Sequence, residues 1–77
     1  MTARDFRYAL TIIGMGARSL AAHLDISRRT VERWAADELD VEPRVAAWLA
    51  ELVREIRVNR VDAEEALAAC PRPEGWE

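Results

Sequence analysis

The stretch LAAHLDISRRTVERW, Leu20 to Trp34, brings Ser27, Arg28, Arg29 and Arg33 close together. Each guanidinium is a planar, permanently charged fork of donors that fits two acceptors at once, on the edge of a guanine or on a phosphate. Arg29 and Arg33 are four residues apart and would share one side of a helix, able to point into a groove together. Arg28 and Glu32 are also four apart, and a pair between them contributes about 0.2–0.5 kcal/mol. A bidentate contact from arginine to guanine is worth about 1–3 kcal/mol in discrimination, so DNA can outcompete that local pair. Base reading is the expected use of Arg29 and Arg33, while Arg28 is open to either use. Glu32 is expected to orient a neighbouring arginine rather than to accept from cytosine. Trp34 shares the side of Val31 and is expected in the core rather than as a stacking platform for bases.

Such a role sits oddly with a formal net charge of −3 over 77 residues. Residues 1–36 carry six arginines against three acids, a balance of +3, whereas residues 37–77 carry five arginines against eleven acids, a balance of −6. A phosphate backbone feels charge within about a Debye length, roughly 8–10 Å at ordinary salt, so an acidic total does not exclude DNA. All eleven Lys/Arg positions are arginine, which fits a GC-rich coding sequence, the favoured reading, or a preference for the forked guanidinium that binds phosphate and guanine.

The elements that must position these residues read as helices. Phe6, Leu10 and Ile13 recur at helical spacing behind Thr2, a potential N-cap, with Asp5 near the positive helix end and Gly14 and Gly16 as terminators. A second helix is expected over about 17–24, with Leu20, Ala21 and Leu24 on one face. After Asp25 and Ile26, Ser27 is placed to cap a third over about 28–36, burying Val31 and Trp34. Residues 37–42 read as an acidic loop, and Pro43 suits the first position of a fourth helix over about 43–57. Asn59 can end that helix, and DAEE, Asp62 to Glu65, resembles a capping box for a short fifth helix running towards Cys70, with Pro71 to stop it. No strand signal or internal repeat is present. Residues 1–70 are expected to form one domain, and 71–77, PRPEGWE, a tail that is loose unless Trp76 docks.

Two helices that cross through a short turn need a small residue where their backbones come closest, and Ala21 supplies one. Leu20, Leu24, Ile26, Val31 and Trp34 would form the apolar wedge between them. Ser27, Arg28, Arg29, Glu32 and Arg33 are then left on the outside of the third helix, which could enter a DNA major groove.

On these positions the chain resembles the helix-turn-helix of the lambda-repressor and Cro type, common in phage and bacterial regulators. The resemblance runs from about Phe6 to Leu52 and is densest in SLAAHLDISRRTVERWA. The continuation VEPRVAAWLAEL is similar to that family's segment after the recognition helix, where a proline opens the next helix. The resemblance implies a compact all-α bundle of four or five helices. It also implies base contacts from Ser27, Arg28, Arg29 and Arg33, and phosphate contacts from Arg18, Ser19 and Thr30. Small regulators of this type in phages and mobile elements include the anti-CRISPR-associated repressors, which are of similar size. The chain departs from the pattern in three places. Asp25 stands in the turn where glycine is usual, although aspartate tolerates the left-handed conformation better than most residues. Ala17 stands where a glutamine often opens the second helix. ADELDVE replaces the glycine and basic residues that follow the third.

The fourth helix carries an apolar stripe, Trp48, Leu49, Leu52, Val53 and Ile56, wider than one thin domain needs to close its core. Part of it is expected to meet a second subunit, giving a homodimer on an inverted-repeat operator of double-stranded DNA, most simply as a repressor. Cys70 and His23 are the only cysteine and histidine. They exclude an internal disulfide and leave no ligand set for a structural zinc, so neither metal nor cofactor is expected. His23 is expected on the solvent side of the second helix and Cys70 as a small packing residue. No acid–base pair or nucleophile constellation points to an enzyme, and no effector pocket is evident. Without a secretory signal or a membrane-spanning apolar run, the expected location is the cytoplasm. The competing class is a protein-interaction module that uses the acidic half, Asp37 to Glu65, without DNA.

Overall fold

A computed structural model describes residues 1–76 and shows, among them, five helices and no strand. These are α1 (Ala3–Ile13), α2 (Ala17–Leu24), α3 (Arg28–Ala35), α4 (Pro43–Arg57) and α5 (Ala63–Ala69). Local chemistry sets most of the boundaries. The Thr2 hydroxyl accepts from the Asp5 amide at 3.0 Å and starts α1, which stops where Gly14 turns left-handed at φ 83°. Pro43 opens α4 at a position whose amide would have no intrahelical partner.

Helix α3 ends at Ala35 with Ala36 as its C-cap, as expected, and Asp37 at a left-handed φ of 62° turns the chain back on it. Two boundary expectations are corrected. After α4 the left-handed residue is Arg60, not Asn59; Asn59 instead donates its side-chain amide to Glu55 at 2.9 Å. Asp62 precedes α5, but its side chain makes no capping bond, so DAEE does not act as a capping box.

The principal helix contacts are α1 with α4, α2 with α3, α1 with α3, and α4 with α5. The buried core is wholly apolar among the described residues. Phe6, Leu20, Leu24, Val31, Val45, Leu49 and Leu52 are its most completely enclosed side chains. Burying an aliphatic or phenyl side chain of this size contributes about 1.5–3 kcal/mol. No helix among the described residues is long and apolar enough to cross a membrane.

One expectation about the second half changes with the packing. Trp48, Leu49 and Leu52 are buried inside the chain itself, so they are not available to a second copy; Val53 and Ile56 remain half-buried against the edge of the core. The apolar stripe looks too wide only if α4 has one neighbour, whereas α1 covers one flank and α5 the other. The tail meets the condition that keeps it from being loose. Pro73 is buried, and Trp76 packs against the core.

Candidate nucleic-acid interface

The geometry of α3 begins at the end of α2. There the Ile26 amide donates to the Ala21 carbonyl at 2.9 Å and the Asp25 amide to Ala22 at 3.3 Å. With Asp25 left-handed at φ 56°, this is a Schellman ending, the structure usually completed by glycine. Three residues, Asp25 to Ser27, join the two helices, and Ala21, only 4% exposed, lies in the core at the start of that bend. Ser27 then caps α3 by accepting from the Arg29 amide at 3.2 Å.

The back of α3 is held by Val31 and Trp34, both buried. The Trp34 ring meets Phe6 of α1 edge to face, with centroids 5.8 Å apart and planes at 81°, a favoured aromatic arrangement. The far end is closed twice over. The Asp37 amide donates to Trp34 at 3.3 Å and that of Glu38 to Arg33 at 2.9 Å, a second Schellman ending on an aspartate. The Arg7 guanidinium of α1 donates to the carbonyl of Ala35, one of the terminal acceptors the helix itself cannot satisfy. An eight-residue helix has little stability of its own; these ties supply it.

The front of α3 is exposed at Ser27, Arg28, Arg29, Glu32 and Arg33. Arg28 and Glu32 form the expected ion pair at 3.4 Å, with both side chains more than half exposed. Such a pair contributes only tenths of a kcal/mol. Arg29 and Arg33 form no ion pair among the described residues. Thr30 is half-buried at the margin of this face. Beside it, Arg18 and Ser19 are exposed in the first turn of α2. Gly16, the N-cap there, offers no side-chain acceptor, and the first amide bonded back to it is that of Leu20 at 3.0 Å. The first-turn amides of α2 are therefore free of helical partners at its positive end.

All seven residues expected to touch DNA thus lie on the α2–α3 unit, with Thr30 the least accessible. The acidic residues Asp37, Glu38 and Asp40 are exposed immediately beyond α3. Among the described residues no three His, Cys, Asp or Glu side chains gather as metal ligands would. His23 is not on the solvent side as expected. It is half-buried, stacked on Trp48 at 5.8 Å between centroids, and its Nε2–H donates to the Pro71 carbonyl. Sequence reasoning missed Arg7 and Asp37 as supports of α3. Asp37 carried a usable signal, since an aspartate just past a helix end is a candidate for the left-handed position. Arg7 carried none, because its partner is 28 residues away.

No protein-family model, curated protein or solved structure matches this chain.

Proposed function

We propose that the chain is a sequence-specific DNA-binding transcriptional regulator in which α2 and α3 form a helix-turn-helix of the lambda-repressor and Cro type. The observation that carries this reading is the state of α3. It is fixed at both ends and along its back, and its front presents Arg29 and Arg33, which form no ion pair among the described residues. Rigid placement matters because a bidentate contact to a base edge is lost with small misplacement. Ser27 and Arg28 flank the pair as further base contacts, Arg28 exchanging Glu32 for the base. Arg18, Ser19 and Thr30 hold phosphates, supported by the free amides at the start of α2.

One recognition helix reads too few base pairs to specify an operator, so the regulator acts as a homodimer. Two-fold symmetry then requires inverted half-sites about 10 bp apart, centre to centre, or a multiple of that. With Trp48, Leu49 and Leu52 enclosed in the monomer, Val53 and Ile56 are the members of the α4 stripe left for the second copy. Val53 lines an open groove of about 530 Å³ between α1 and α4, together with Met1, Tyr8, Ala46 and Ala50. With no separate activating element in view among the described residues, repression by occupying a promoter is the simplest mode, and the bacterial cytoplasm, including that of a phage-infected cell, is where such a protein would work.

Retention of random double-stranded DNA across a salt series tests the reading. A binding constant whose logarithm falls linearly with the logarithm of salt concentration supports it. Selection from a random pool should then yield an inverted repeat with guanine in each half-site. An adaptor working through the acidic half would retain no DNA at any salt.

A further inference from the structure

We infer that residues 70–76 are a strap that sets the position of the reading helix, with Trp76 and His23 as its positioning residues and Arg44 as its anchor on α4. The inference rests on the reading of α3 proposed above.

The end of α2 leaves four carbonyls without helical donors. The Schellman bonds from Asp25 and Ile26 satisfy Ala22 and Ala21. The carbonyl of Leu24, adjacent to the left-handed Asp25, is taken by the indole N–H of Trp76 at 2.9 Å, a bond spanning 52 residues. The tail therefore satisfies one more, the third, of the four terminal carbonyls of the helix that leads into α3. A turn one residue from that bond is where a small rotation would swing α3 most.

The rest of the strap is tied to α4. The Arg44 guanidinium lies over the Trp76 ring, 5.0 Å from its centroid, and donates to the Gly75 carbonyl at 3.2 Å. It is oriented in turn by Glu42, whose carboxylate accepts from the Arg44 Nε at 3.2 Å and from its backbone amide at 3.2 Å. Gly75, left-handed at φ 74°, and a turn bond from the Trp76 amide to Pro73 at 3.1 Å bring the indole round. At the other end of the strap, Trp48 of α4 donates its indole N–H to the Cys70 carbonyl at 2.7 Å. The same ring stacks on His23, which bonds to Pro71. Helix α2 otherwise leans mainly on α3, so without the strap the pair would be joined to the rest of the fold chiefly through α1 and α3. The strap adds a second tie between α2 and α4, beside the direct stacking of His23 on Trp48.

Hydrogen exchange of the full chain, read residue by residue, tests this. Trp76→Phe keeps a ring for Arg44 and the core but removes the donor to Leu24. The net effect of one hydrogen bond corresponds to about a five-fold change in a local opening equilibrium. Exchange at the Asp25 and Ile26 amides is expected to quicken about five-fold while Leu49 and Leu52 in α4 hold their rates. Arg44→Gln, at an exposed position with little risk to folding, should show the same local pattern at smaller amplitude. On DNA, Trp76→Phe should reduce the preference for a selected site over random DNA, leaving random binding unchanged, an outcome that simple loss of stability does not produce. Unchanged exchange at Asp25 and Ile26 in both variants, or an equal rise throughout the chain, would overturn the strap. Retention of DNA by the unaltered chain judges the DNA reading separately, so the two ideas fail independently.

Discussion

Arginines on α3 and arginines on α4 are all exposed, yet they stand on differently arranged backbone. Arg29 and Arg33 belong to a short helix clamped by Ser27, Trp34, Arg7 and a Schellman ending, within the half of the chain whose balance is +3. Arg54 and Arg57 occupy the last turn of α4, where positive charge offsets the partial negative charge of the carbonyl end. They lie in the half whose balance is −6, on a helix that also carries Glu51 and Glu55. Arg44, in that same half, is engaged by Glu42, Gly75 and Trp76. On the proposed function, what separates a reading arginine from a solvated one is the stiffness and the field of its surroundings.

The largest effect expected from breaking that difference comes from the support behind α3. Phe6 is fully buried and props Trp34. Phe6→Ala should cost about 3–5 kcal/mol, most of the stability of a domain this small, and show as a much reduced midpoint in urea. A loss under about 1 kcal/mol would mean that α3 is not held from behind.

Next come the caps, which compare the two helices nearest Phe6. Ser27→Ala and Thr2→Ala each remove a capping oxygen and should each destabilise by about 1 kcal/mol in thermal or urea unfolding. Only the Ser27 variant should also weaken binding to a selected DNA site. Equal binding by both variants would remove Ser27 from the interface. The smallest effect belongs to the exposed pair. Glu32→Ala should change stability by no more than about 0.5 kcal/mol, while raising retention of random DNA at low salt, because it releases Arg28 and removes an acid from the reading face. Weaker retention would assign Glu32 a supporting role in binding.

Much of this molecule was legible wherever structure is set by neighbours in sequence. Thr2, Gly14, Asp25, Ser27 and Pro43 mark helix ends through bonds to residues two to four positions away or through their own backbone preference, and the limits of α2 and α4 agree with expectation. The outward face of α3 followed from the spacing of Val31 and Trp34. What was not legible depends on contacts between distant segments. The bond from Arg7 to Ala35, the stacking of His23 on Trp48 and the reach of Trp76 to Leu24 leave no periodic trace. Assigning Trp48, Leu49 and Leu52 to a dimer interface failed for a related reason. A helix can bury two flanks at once when neighbours share it, and the width of its stripe does not reveal how many neighbours there are.

The central claim, that α3 reads bases, is tested most directly by comparing Arg33→Ala with Arg54→Ala on a selected site and on random DNA. Arg33→Ala is expected to cost about 1–3 kcal/mol on the selected site and far less on random sequence, so that the ratio of the two affinities falls. Arg54→Ala, on the other helix, should change that ratio by less than about 0.5 kcal/mol. A folded Arg33→Ala protein that keeps the full preference for the selected site would contradict the assignment of α3 as the reading helix.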